Sequence, residues 1–279
     1  MTLRTILVCL TNTSSAADVM KCAAILARRD NAHVIGLHVT ESLIVYPSIA
    51  MHIPDITYQT FATSQKGHTQ DLKDIFDAQT RAEGFPSEWR HLASDTATVA
   101  DRIVESARSV DLVVMAQEDD SHDRTMMNNL QERVIRESGR PVLVIPRGYQ
   151  ADTLGDTVVL GWSPTREATR AAHDMEQVIS PDAKVSILRI DKATGDELSD
   201  FDTNDLAAAL ARYGHDVSVI HREQAGEKVA DVLSHEAFEI GADLLVTGAF
   251  GHSRTYDFVI GAVSRALLSD AKIPVLYSK

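Results

Sequence analysis

The chain has 279 residues, 44% of them hydrophobic and 24% charged, which is the composition of a globular protein long enough for two domains and excludes a mainly disordered chain. It carries 27 Lys/Arg against 40 Asp/Glu, a net charge of −13. The deficit is present in both halves, with 15 basic against 19 acidic residues in 1–150 and 12 against 21 in 151–279. Two acidic halves with 5% aromatic residues offer neither the basic face nor the stacking platform that nucleic acid needs. No apolar run reaches the roughly 20 residues of a membrane helix.

The chain opens Met1-Thr2-Leu3-Arg4 and runs into the short apolar stretch Ile6–Leu10. That stretch is too brief for a signal segment, so a cytoplasmic location is expected. Ile6–Leu10 reads as a strand covered on both faces. Ala16–Arg29 reads as a helix and His33–Val39 as a second strand. Ser42–Gln65 holds Pro47 and Pro54 without a clean period and reads as a long loop. Val99, Ile103 and Ala107 lie four apart on one helix face. Asp111–Met115 is a third strand, Asn129–Glu137 a helix, and Pro141–Ile145 a closing strand. Cys9 and Cys22 have no metal or redox spacing and read as buried thiols.

Asp152–Gly155 is a short linker, and beyond it the order repeats. The second half predicts Val158–Leu160, Arg166–Ile179, Val185–Ile190, Asp205–Tyr213, Val217–Ile220, Val229–Ile240, Leu244–Thr247, Ala262–Ser269 and Pro274–Tyr277. Three markers recur in register: Thr5-Ile6-Leu7-Val8 with Thr157-Val158-Val159-Leu160, Val99-Ala100-Asp101 with Val229-Ala230-Asp231, and Pro141-Val142-Leu143 with Pro274-Val275-Leu276. The offset falls from 152 to 133, so the first half carries about 19 extra residues, assigned to Ser42–Gln65. Alternating β and α patterns with two-sided apolar strands predict α/β architecture: two doubly wound parallel-sheet sandwich domains of about five strands, 1–150 and 151–279. The closing strands Pro141–Ile145 and Pro274–Tyr277 are edges that need covering, and are expected to meet across an internal pseudo-two-fold.

Ligands of open α/β sheets bind beyond the carboxyl ends of strands. After Leu244–Thr247 comes Gly248-Ala249-Phe250-Gly251-His252-Ser253-Arg254, and later Gly261-Ala262-Val263-Ser264. Glycines let main-chain N–H groups approach a phosphate, and the start of the Ala262–Ser269 helix adds free donors and a positive dipole end. Ser264 offers a hydroxyl and Arg254 a fork matched to phosphate oxygens. The bland alternative is that these glycines shape a turn and a close helix–sheet contact.

The spacing Gly248-x2-Gly251-x9-Gly261, followed by Pro274-Val275-Leu276, resembles the nucleotide-binding signature of the universal stress protein family. Nearly the whole chain outside Ser42–Gln65 resembles a tandem member with two such domains. Trp162-Ser163-Pro164-Thr165-Arg166-Glu167-Ala168 is similar to the turn after that family's first strand. The resemblance implies an adenine-nucleotide-hydrolase-like fold packed as an internal pseudo-dimer. It also implies an adenine nucleotide (ATP, ADP or AMP), with or without Mg²⁺, as the bound cofactor. Carried over residue by residue, it nominates Gly248, Gly251, His252, Gly261, Ala262 and Val263, with Phe250 inside the same loop. Ile190 matches a position whose backbone meets adenine. Ser163 stands where the family usually has Asp, with Thr11 at the matching point of the first half. Ala262 stands where Ser or Thr is usual, with Ser264 two residues on.

The first half departs further. After Asp111–Met115 it reads Ala116-Gln117-Glu118-Asp119-Asp120, with Asp123 beyond and no glycine. Carboxylates there repel phosphate, so this half is expected to bind no nucleotide triphosphate. The acidic run reads as solvated surface, with a divalent cation as the alternative. The chain has no G-x-x-x-x-G-K-[ST] and no G-x-G-x-x-G after a strand. His235-Glu236 lacks the second His of H-E-x-x-H, and Gly161-Trp162-Ser163-Pro164-Thr165 lacks the last glycine of G-x-S-x-G. His215, His221 and His252 read as surface or loop residues. Trp162, at a strand end, reads as packing, with base stacking as the alternative. No catalytic residue and no resident metal are assigned. The leading expectation is a stress-response protein whose second half binds an adenine nucleotide as a signal. The alternatives are a nucleotide-independent module for a partner protein or small ligand, and a slow ATPase. A further homodimer is left open.

Overall fold

The structure is a computed structural model that describes residues 2–41, 55–94, 97–117, 130–150, 152–191, 201–251 and 261–279. The described residues form ten strands and eight α-helices. Apolar runs give β1 (Thr5–Cys9), β2 (His33–Glu41), β4 (Leu112–Ala116) and β5 (Val142–Ile145) in the first half. The polar segment Ser87–Ser94 adds β3 at the sheet edge. The second half repeats the set as β6 (Thr157–Trp162), β7 (Lys184–Asp191), β8 (Asp216–Glu223), β9 (Leu244–Gly248) and β10 (Val275–Ser278).

Side chains at amphipathic spacing give α1 (Thr13–Asp30), α2 (Asp55–Arg81), α3 (Val99–Ala107) and α4 (Leu130–Glu137) in the first half. The second has α5 (Arg166–Asp174), α6 (Phe201–Arg212), α7 (Val229–Ile240) and α8 (Ala262–Asp270), with a 3₁₀ turn over Met175–Gln177. Asn12, Thr98 and Thr165 cap α1, α3 and α5 by accepting backbone N–H bonds.

All ten strands belong to one sheet in the order β3-β2-β1-β4-β5-β10-β9-β6-β7-β8. Every pair is parallel except β5 with β10, which run antiparallel with Leu143 opposite Leu276. The two closing strands therefore meet as expected, and the two halves make one continuous sheet. Each is four residues long and would otherwise leave an open apolar edge.

Strand residues alternate between two cores. Ile6 and Val8 pack toward α1, α2, α5 and α6, whereas Leu7 and Cys9 pack toward α3, α4, α7 and α8. Burial pushes both thiols, Cys9 and Cys22, up to about 12, so they are unreactive packing groups. Several polar ties cross between the halves. The Arg29 guanidinium donates to the carbonyls of Gln177, Val178 and Ile179 at 2.7–2.9 Å, satisfying carbonyls at the C-terminal end of the 3₁₀ turn. Glu132 on α4 accepts from Arg136 at 2.8 Å and from Arg265 on α8 at 2.9 Å, and these bonds, Arg265's above all, hold its carboxyl below the usual range.

Ser42–Gln65 is not one loop. Asp55–Gln65 forms the first turns of α2, a helix of 27 residues against 12 for its counterpart α6. Those turns are largely exposed, with Ile56 at 65%, so they carry no apolar period for the sequence to display. The buried stripe Leu72, Phe76 and Thr80 begins only later. Two smaller differences remain. Strand β3 is an edge strand with a polar pattern, and the expected Arg166–Ile179 helix stops at Asp174 and tightens into the 3₁₀ turn.

Candidate functional site

In the second half the chain runs β6→β7→β8 in one direction and then places β9 and β10 on the other side of β6. The switch point lies between β6 and β9, where an open α/β sheet forms its crevice. Trp162 pairs with Arg189, so the next residues, Ser163 and Ile190, stand side by side at the ends of β6 and β7. Gly161 pairs with Thr247, which brings Gly248 to the same rim. Trp162 is partly buried and packs on the core, as expected. Ser163 is exposed, and its hydroxyl lies 3.3 Å from that of the cap Thr165. Ile190 is half-buried.

The glycines have distinct jobs. A Cβ on Gly248 would lie 2.5 Å from the backbone N of Ala168 and from the backbone C of Glu167. The end of β9 therefore touches the first turn of α5 backbone to backbone, a contact open only to glycine. Gly261 has φ +85 and caps α8 without any side-chain hydrogen bond, so among the described residues no N-cap side chain accepts from the first turn. A Cβ on Gly261 would also meet the Phe250 ring at 2.8 Å.

Phe250 has φ +51 and is 1% exposed. Its strained backbone is held from three sides. Its N–H donates to the buried Ser264 hydroxyl at 3.2 Å, its carbonyl accepts from Lys279 Nζ at 3.1 Å, and the Arg136 guanidinium lies 4.0 Å above its ring. Phe250 and Ser264 thus lock the loop onto α8, and their polar groups are used in doing so. Ala262 is exposed and Val263 half-buried on the first turn. His252 and Arg254 lie outside the described residues, as do Glu118, Asp119, Asp120 and Asp123.

Three groups at this site were not legible as site residues. Arg136 comes from the other half of the chain, and Lys279 is sixteen residues beyond Val263. Glu167 sits in a segment whose direction depends on helix phase. A Cβ on Gly251 would lie 2.7 Å from Glu167 Oε2, so this carboxylate covers the middle glycine.

The matching corner of the first half is filled differently. His38 is 5% exposed and its Nδ1 lies 2.8 Å from the Leu10 carbonyl. His68 on α2 reaches the Thr11 carbonyl at 3.2 Å, and His91 on β3 reaches the Thr40 hydroxyl at 3.1 Å. The ring centroids of His68 and His91 lie 5.5 and 5.9 Å from that of His38. Among the described residues no group of three or more His, Cys, Asp or Glu is placed to hold a metal ion. No helix among them is long and apolar enough to cross a membrane.

The sequence model of the universal stress protein family matches twice, over residues 2–146 and 155–279. The chain belongs to the universal stress protein family. Its two matches in one chain make it a tandem member. A universal stress protein from Archaeoglobus fulgidus DSM 4304 shares the fold over 98% of this chain and 96% of its own, at 14% identity and a TM-score of 0.69. A protein of unknown function from Pseudomonas aeruginosa PAO1 does so over 99% and 92%, at 15% identity and 0.57. A universal stress protein from Archaeoglobus fulgidus solved in complex with dAMP matches 52% of this chain and 98% of its own, at 17% identity and 0.34. No curated protein sequence matches the chain.

Proposed function

We propose that the second half of this universal stress protein binds an adenine nucleotide (ATP, ADP or AMP) beyond the ends of β6, β7 and β9. Binding acts as a signal or as protection in a cytoplasmic stress response, not as a step in catalysis. The observation that carries this reading is the start of α8. A helix opened by a left-handed glycine, with no side-chain cap, stands beside the Gly251 loop and is tied to it through Phe250 and Ser264. Uncapped first-turn N–H groups and the positive helix end favour a phosphate. The base and ribose lie toward Ser163, Ile190 and Gly248 in this reading, and the phosphates toward Gly251 and the start of α8. Residues 1–150 and 151–279 act as two domains, of which the first binds no nucleotide.

Calorimetric titration of the full chain with ATP, ADP and AMP tests this. Binding is expected in wild type and lost in Gly261→Asp, which sets a carboxylate at the helix start where φ is positive. The absence of all three from wild type at millimolar concentration, or binding undiminished in Gly261→Asp, defeats it.

A second reading draws on Gly248. Its contact with α5 gives that glycine a structural use whether or not a nucleotide binds. Ser163 in place of the family's usual Asp points the same way. In that reading the protein is a nucleotide-independent module for a partner protein or small ligand. Partner capture unaffected by ATP and by the Gly261 change supports it.

A further inference from the structure

Glu167 occupies the second position of α5, in the switch-point crevice. It is 8% exposed, and no hydrogen bond or ion pair reaches its carboxylate among the described residues. Several described cations around the loop and on α5 are engaged elsewhere. Lys279 donates to the Phe250 carbonyl, while Arg136 and Arg265 are both held by Glu132. Arg170, one turn further along α5, pairs with Asp174. No described cation pairs with the Glu167 carboxylate. Here it lies over Gly251, with its Oε2 2.7 Å from where a Cβ would stand and its carboxyl carbon at 3.1 Å. The carboxylate thus adjoins the glycine loop that Phe250 and Ser264 tie to the start of α8.

We infer that Glu167 is the specificity-determining residue of this pocket and sets how many phosphates it accepts. The claim rests on the nucleotide reading above and goes beyond it. The α8 donors and the Glu167 carboxylate act in opposition. A single phosphate can take the α8 donors while staying clear of the carboxylate. Each further phosphate adds negative charge to a crevice whose wall is Glu167. The pocket therefore favours a nucleoside monophosphate over the di- and triphosphate when no divalent cation accompanies them. At an effective dielectric near 20, one extra charge within about 8 Å costs roughly tenfold in affinity or more.

The experiment is calorimetric titration of the full chain with adenosine, AMP, ADP and ATP in buffer containing EDTA, for wild type and Glu167→Gln. Wild-type affinity is expected to fall about tenfold or more from AMP to ATP, and Glu167→Gln to raise ATP affinity by a similar factor while leaving adenosine within about twofold. Wild-type affinity that is level or rises from AMP to ATP overturns the inference and leaves the nucleotide reading standing. Equal ATP affinity in wild type and variant overturns it too. If none of the four ligands binds wild type, the nucleotide reading itself fails. Circular dichroism checks that the variant folds; should it not, Glu167→Ala replaces it, and the wild-type order decides without any variant.

Discussion

The two halves share one topology, yet their crevices differ because of one helix and one residue. In the first half α2 runs 27 residues and brings His68 onto the Thr11 carbonyl, the position that matches Ser163. With His38 and His91 it fills the corner with three imidazoles. In the second half the counterpart α6 has 12 residues, and among the described residues no side chain bonds to the Ser163 carbonyl. The strand ends differ as well. Ala116 closes β4 where Gly248 closes β9. A duplicated fold can thus fill this corner in one copy by lengthening a peripheral helix, while the sheet beneath stays the same.

The sharpest way to break this comparison is to exchange the strand-end residues. Gly248→Ala puts a Cβ 2.5 Å from the α5 backbone, which cannot yield as a flexible side chain would. It is expected to destabilise the protein by about 2 kcal/mol, read by urea denaturation. Ala116→Gly in the first half should cost only about 1 kcal/mol. Equal costs would show that the backbone contact at Gly248 is not a distinguishing feature.

The imidazole corner makes a pH prediction of intermediate size. Burial, and then the neighbouring His68 and His91, lower the pKa of His38, against the raising effect of the Leu10 carbonyl. An imidazole with a lowered pKa in the folded state binds fewer protons there than in the unfolded chain. Its contribution is complete above the unfolded value near 6.5 and is lost as pH falls through the folded value. Denaturation midpoints measured from pH 8 down to pH 5 should decline below about 6.5, with a slope from this group of at most about 1.4 kcal/mol per pH unit. The decline should shrink in His38→Leu. An identical profile in the variant would remove the corner from the account.

The smallest expected effect concerns the seam. Tyr277 on β10 stands where the first half has Val144, and its hydroxyl is fully buried with no hydrogen-bond partner among the described residues. Burial drives the phenol well above its ordinary pKa, so it stays neutral. Tyr277→Phe keeps the ring and removes the orphaned group. It should stabilise the protein by about 1 kcal/mol in the same denaturation assay. A loss of stability would mean that the hydroxyl has a partner.

The sequence by itself determined the duplicated α/β pattern, the strand that closes each half, the meeting of those two strands, and the glycine spacing. These follow from local signals: apolar runs for two-sided strands, four-residue periods for helix faces, and glycines where backbone geometry excludes a Cβ. It did not show the first turns of α2 or the edge strand β3, because exposed segments carry no hydrophobic period. Only the tertiary structure decided which neighbours meet at the site. Arg136 and Lys279 arrive at Phe250 from distant parts of the chain, Ser264 spends its hydroxyl on a main-chain N–H, and Glu167 turns over Gly251 because the α5 backbone docks on Gly248. Such contacts depend on helix phase and sheet order, which are properties of packing and have no local signature in the residues that make them.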